Sequence, residues 1–262
     1  MENIALEAYA DFIRASSEAN LRSAVLPSEL IIISQDDNQT FYAPFDYINQ
    51  EAKIVIVGIT PGLQQASNAL MKAKEILEVG GDVESAREQA KVFASFSGAM
   101  RNNLTAMMDY VGLNDYLNIE STMSLFDEHQ DKVHFTSALR YPVFKHGKNF
   151  NESPLKLKEQ VMAWFAEECK VLSDAIYIPL GPKVVEVLEL MIELDILKPG
   201  QVLSGLQHPS GANAERIAYF LGRKAKENLS IKTNPDKIDK AKQIILDKMS
   251  ILKNSTLTHK LI

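Results

Sequence analysis

One cysteine and one tryptophan are spread over 262 residues, and no run of apolar residues is long enough to cross a bilayer as a helix. Cys169, standing alone, cannot close an internal disulfide or build a cysteine-based zinc or iron-sulfur site. Met1-Glu2-Asn3 starts the chain with neither a basic region nor an apolar signal core, so a soluble, cytoplasmic protein is expected. There is no Gly-x-x-x-x-Gly-Lys phosphate loop, no Gly-x-Ser-x-Gly elbow and no paired histidine-carboxylate metal motif. Nucleotide hydrolysis on the common phosphate loop is thereby excluded, and neither a metal nor an organic cofactor is expected.

Apolar residues make up 46% of the chain, enough for a large core, and the length suits one elaborated domain. The net charge of −6 argues against coating nucleic acid by bulk attraction. Its distribution is uneven: from residue 217 onward there are ten Lys or Arg against four acids. Residues 1–222 are therefore read as an α/β domain with an N-terminal helical extension, and residues 223–262 as a basic helical appendage packed on it. A basic flank of this kind suits a DNA backbone or a solvated surface helix.

Residues 4 to 25 carry Leu6, Tyr9, Ile13 and Leu21 at helical spacing. The aromatic, proline-containing segment Thr40-Phe41-Tyr42-Ala43-Pro44-Phe45-Asp46-Tyr47 reads as a loop or edge segment. The β-branched run from Lys53 to Val57 suits a strand buried on both faces of a parallel sheet. Helices are expected from Pro61-Gly62 to about Val79, from near Asp82, from about Ser97 to Tyr110, from Pro154 to Ser173, from Lys183 to Leu194 and from Asp236 to Leu252. Strands are expected near Lys132 to Leu139, at Ala175 to Pro179 and at Gln201 to Gln207. Alternation of this kind predicts a three-layer α/β/α fold around a mainly parallel sheet of four strands, with ligands beyond the strands' carboxyl ends. The loops 58–62, 137–141, 181–182 and 207–213 all fall there.

Two of these loops carry motifs: Gly58-Ile59-Thr60-Pro61-Gly62 after the first core strand, and Gln207-His208-Pro209-Ser210-Gly211-Ala212-Asn213 after the last. With Phe96-Ser97-Gly98 and Ile178-Pro179-Leu180-Gly181-Pro182 in the same order along the chain, residues 40 to 222 resemble the uracil-DNA glycosylase superfamily. The resemblance implies a uracil-DNA glycosylase-like sheet and a site for a nucleotide extruded from DNA. It implies that His208 donates to a carbonyl oxygen of the departing base, and that the position of Thr60 holds the attacking water. Gly58, Ile59 and Gly62 would line the base, Phe96 would stack on it with Phe93 as a competing aromatic, and Ser137 stands where uracil-specific relatives read the base with Asn. Ser210, Gly211, Ala212, Asn213 and Arg216 would contact DNA.

Thr60 and Ser137 depart from the family pattern, since a hydroxyl positions water but accepts no proton at neutral pH as a carboxylate does. The small residues suggest a larger, modified base rather than uracil. Asp46 and Gln64 lie near the first loop and are further candidates, while His134, His146, Arg140, Lys145 and Lys148 form a basic segment suited to a DNA groove or to solvent. The implied activity is hydrolysis of an N-glycosidic bond in DNA by a monomer. The alternative is a catalytically silent protein that binds damaged, modified or single-stranded DNA in repair or in defence against foreign genomes.

Overall fold

The structure, a computed structural model, describes residues 5–96 and 98–259, with side chains as far as 254. Ile54–Gly58 (β3) is buried at every position and pairs in parallel with Val133–Ser137 (β4) on one side and Ile176–Pro179 (β7) on the other. Its alternate residues feed two cores. Ile54 and Ile56 pack with Phe135, Leu104, Met107, Phe220, Ile238 and Ile245, whereas Val55 and Val57 pack with Phe165, Cys169, Val184 and Leu188. Helices therefore cover both faces of the sheet, the arrangement that a strand with no polar side requires.

The first strands, Ile31–Gln35 (β1) and Asn38–Phe41 (β2), belong to a second sheet with Val143–Lys145 (β5) and Lys148–Asn149 (β6), antiparallel in the order β1-β2-β5-β6. Of the aromatic segment expected as a loop or edge, Thr40 and Phe41 are in β2, and Tyr42 stacks on Tyr9 with ring centroids 4.1 Å apart. The N-terminal helix expected over 4 to 25 is broken. Residue 4 lies outside the described residues, and Ala10–Ala15 (α1) and Glu18–Leu21 (α2) are separated where the Ser17 hydroxyl accepts from Asn20 N at 3.2 Å and starts a new helix.

Leu63–Glu78 (α3) and Val83–Ala94 (α4) form a hairpin joined at Gly80 and Gly81. Alanines at 66, 69 and 73 on α3 and at 86, 90 and 94 on α4 are buried, small enough to let the two helices approach closely. Ala99–Tyr110 (α5) and Leu113–Leu117 (α6) follow, then β4. The helix expected from 154 to 173 is three pieces, Lys158–Gln160 (α7), a π turn at Val161–Phe165 and Ala166–Val171 (α8), preceded by a 3-10 turn. Pro182–Glu193 (α9), Ala214–Phe220 (α10) and Pro235–His259 (α11) follow.

Among the described residues the parallel sheet has three strands rather than four. The expected fourth, 201–207, lies beside β7 but makes one parallel bridge, Val202 to Tyr177, with Leu203 N donating to Tyr177 O at 2.8 Å. Gly205 turns the segment with φ +143, because α11 presses on it: a Cβ there would lie 2.4 Å from Ala241 O and 3.0 Å from Ile245 Cβ. Lys248 Nζ donates to Val202 O at 2.7 Å, and Ile238, Ile245 and Met249 are buried, so α11 is docked by its core face and its lysine stem. Gly205→Ala should cost about 1–3 kcal/mol, since the clash is with helix backbone that cannot turn aside. Urea denaturation of the variant checks this, and an unchanged midpoint would contradict the close packing of α11.

Candidate functional site

The parallel register puts the ends of β3, β4 and β7 side by side, with Gly58 opposite Ser137 and Val57 opposite Pro179. The loops that follow define a cleft of about 840 Å3. Ile59, Leu180, Gly181, Leu206, His208 and Ala212 line it from the loops, Lys183, Glu186 and Glu189 from α9, and Ala241 and Ile244 from α11.

His208 is half-buried, its Cβ 3.9 Å from where a side chain on Gly181 would begin. Gly181 has φ +100, so its lack of a side chain serves both backbone and room. Ser210 N donates to His208 Nδ1 at 3.3 Å. An Nδ1 that accepts cannot carry the proton of a neutral ring, which leaves Nε2–H as the donor. Burial pushes the His208 imidazolium below its ordinary value, so the neutral ring prevails at pH 7. The loop is pinned on its other side, where Asn103 Nδ2 donates to Pro209 O at 2.9 Å.

Beyond His208, the Gly211–Asn213 turn starts α10. Asn213 joins the loop to the helix: its Nδ2 donates to Ser210 Oγ at 3.2 Å and its Oδ1 accepts from Arg216 at 3.0 Å. Gly211, Ala212 and Arg216 are exposed at the mouth. Lys183 and Asn151 meet across the opposite rim, with Nζ 3.1 Å from Oδ1. Sequence reasoning passed over Lys183, Glu186 and Glu189, although their spacing of three marks one helix stripe; nothing local announces Ala241 or Ile244, which arrive by the docking of α11.

The other expected base contacts lie elsewhere. Thr60 Oγ1 donates to Tyr141 O at 3.0 Å and accepts from Val143 N at 3.1 Å, tying the loop after β3 to the start of β5. Its proton is spent, and only a lone pair remains for a water. Gly62 caps α3, where Asn149 Oδ1 and Gln65 Oε1 accept from Leu63 N and Gly62 N, both at 3.1 Å. Phe96, at φ +48 and buried, packs edge-on to Phe135 at 5.9 Å. With Ser137, Pro61 and Phe45 it surrounds a separate hollow of about 10 Å3, room for a water and not a base. Ser137 Oγ fills the space beside Gly58, where a Cβ would meet it at 3.3 Å. The two small residues thus leave no enlarged base pocket between them; the open volume is on the His208 side. Ser97 lies outside the described residues.

The basic segment is largely turned inward at His134 and Arg140. His134 and Arg140 do not face a groove; they are 1% and 7% exposed and bind the buried Glu168 of α8. Thr136 Oγ1 donates to the same carboxylate at 2.6 Å, and Arg140 also reaches the Trp164 carbonyl in the π turn at 3.0 Å. Burial alone would raise Glu168, but the charges of Arg140 and Lys91 outweigh it and hold the carboxyl well below its usual range. Burial, aided by Lys91, takes His134 down to about 4, so its ring is a neutral donor. Asp46 is buried too, accepting from Tyr42 at 3.0 Å and Arg87 at 3.3 Å, and Gln64 pairs with Asn68 on the surface of α3. The Cys169 thiol is pushed up by burial and is structural.

Among the described residues no group of three His, Cys, Asp or Glu gathers as metal ligands, and no helix is long and apolar enough to cross a membrane. Over 232 residues the chain is 34% identical to the uncharacterized protein YoxB of Bacillus subtilis (strain 168), covering 86% of this chain and 90% of that one. The chain belongs to the YoxB family. No family model and no solved structure matches it.

Thr60→Val keeps the shape but strands the buried Val143 N–H, and should cost about 1–3 kcal/mol in denaturant unfolding; a cost near zero would mean that the staple is dispensable. His134 is neutral when folded and takes a proton more readily when unfolded, so its contribution is complete above the ordinary pKa of 6.5 and is lost as pH falls toward about 4. Unfolding free energies measured across that window should fall with decreasing pH, and His134→Gln should flatten the slope by about one proton. An identical slope in the variant would contradict the neutral buried ring.

Proposed function

We propose that the chain is a uracil-DNA glycosylase-like protein that takes an extruded nucleotide of DNA into the His208 cleft and hydrolyses its N-glycosidic bond. The observation that carries the reading is the hydrogen bond from Ser210 N to His208 Nδ1, which leaves a neutral ring with Nε2–H free to donate. As the bond between sugar and base breaks, the electron pair goes to the base, and its charge spreads onto a carbonyl oxygen. A preorganised neutral donor there supplies roughly 3 kcal/mol without losing its own proton. Water adds to the sugar carbon from the opposite face, its released proton passes through solvent to the departing base anion, and an abasic site and a neutral free base are left.

The order β4-β3-β7, with Val202 bridging to the outer side of β7, supports the glycosylase-like reading of the sheet. The cleft supports a base larger than a pyrimidine, since its volume of about 840 Å3 extends to an apolar wall at Ile244 and Ala241. Arg216 and Lys183 on the rims suit DNA phosphates, and flipping of the target nucleotide supplies selectivity.

Thr60 favours a second reading. Its hydroxyl is tied to Tyr141 O and Val143 N and takes up no proton at neutral pH as a carboxylate would, so Thr60 supplies no general base, which suits a protein that binds a damaged or modified nucleotide and does not cut. One experiment separates the two. Oligonucleotides carrying uracil, hypoxanthine, mismatches or modified bases are incubated with the protein and treated with alkali to break abasic sites. The glycosylase reading expects breaks on at least one substrate and a loss of about a hundredfold in rate for His208→Ala. Binding without breaks identifies the silent reader. Neither binding nor breaks on any substrate overturns both.

A further inference from the structure

A second hollow, of about 170 Å3, opens at the amino ends of β3 and β4, the opposite edge of the sheet from the His208 cleft. Lys91 of α4 forms part of its inner wall and is 2% exposed. Lys91 Nζ donates to Tyr47 O at 2.6 Å, and His134 Nε2 lies 3.5 Å from it. That nitrogen is no acceptor. Asn49 N donates to His134 Nδ1 at 3.3 Å, so the neutral ring carries its proton on Nε2 and gives it to Glu168 at 3.2 Å. An ammonium has three hydrogens to place, and this one has a single carbonyl acceptor beside the hollow. Asn49 is engaged elsewhere, with its Nδ2 shared among the carbonyls of Gln130, Asp131 and Val133 and its Oδ1 accepting from Glu51 N.

The lining has the opposite sign further out. Glu51 and Asp131 are exposed, and the half-buried Glu88 accepts from the Tyr47 hydroxyl at 3.1 Å. The hollow therefore has a cation at its inner wall and carboxylates nearer solvent. A simple anion would be attracted by Lys91 and repelled by the acids; a simple cation would meet the reverse. A ligand with a negative end and a positive end a few bonds apart satisfies both.

We propose that this hollow binds a small zwitterionic amino acid, its carboxylate on the Lys91 ammonium and its ammonium among Glu51, Glu88 and Asp131. The hollow's volume of about 170 Å3 suits an amino acid the size of glycine, alanine or serine. Burial takes the Lys91 ammonium down to about 8 against the attraction of Glu168, which still leaves it charged at pH 7. The ligand would give its spare hydrogens the charged acceptor that the protein withholds.

Isothermal titration calorimetry of the full chain with glycine, L-alanine and L-serine tests this, with sodium acetate and methylammonium chloride as single-charge probes. The expected result is binding of at least one amino acid with Kd of about 1 mM or tighter, and acetate and methylammonium each weaker by at least about tenfold. Lys91→Met should weaken binding by a similar factor. Glu88→Gln and Asp131→Asn, both nearer solvent than Lys91, should do so too. The proposal is overturned if none of the three amino acids binds, if acetate alone binds as tightly as glycine, or if the mouth variants bind as the wild type does.

Discussion

Parallel pairing of β3 with both β4 and β7 is the constraint on which the rest of the molecule depends. In an antiparallel arrangement successive loops would leave from opposite ends of the sheet; here Ile59, Ala138 and Leu180 all emerge at one edge. The pairing continues past the strands, since Ala138 N and Leu139 N donate to Gly58 O and Ile59 O and Leu180 N donates to Val57 O, each at 2.9 Å. Position within the cleft is therefore decided by backbone hydrogen bonds before any side chain is considered. Burial on both faces supports the pairing, because Ile54 and Ile56 contribute to one core and Val55 and Val57 to the other.

A parallel sheet also needs its helices fixed in place, and Glu168 does part of this. One carboxylate on α8 gathers two side chains of β4 and Arg140 just beyond it, and Arg140 extends to the π turn. A buried ionic group of this type is a weak contributor to net stability but costly to break, since removing one partner leaves the others charged and dry. Its polar members are matched almost entirely by one another. The Lys91 ammonium has hydrogens to spare and, with His134, lines open volume.

The parts of this arrangement that periodicity governs were readable in the residues. The run Ile54-Val55-Ile56-Val57, the turn at Gly80-Gly81, the proline at the start of α9 and the histidine after Leu206 each carry a local physical cause. What escaped was decided by distant partners. The antiparallel sheet is built from short strands, one of them two residues long, whose pairing no local pattern announces. The fourth strand failed because α11, some forty residues on, packs against Gly205. His134 and Arg140 look like surface charges in sequence; their partner Glu168 lies 34 and 28 residues away. The resemblance makes Thr60 a water holder, but its hydroxyl is bound to backbone more than eighty residues on.

The site's chemistry rests on where one proton sits. Nitrogen-15 NMR of the His208 ring, assigned against His208→Ala, measures it directly at pH 7 with and without an oligonucleotide carrying a modified base. A neutral ring protonated at Nε2, whose Nε2 resonance moves on addition of the oligonucleotide while Nδ1 stays an acceptor, is the result the geometry predicts. A ring protonated at Nδ1 or at both nitrogens at that pH, indifferent to the oligonucleotide, would contradict it.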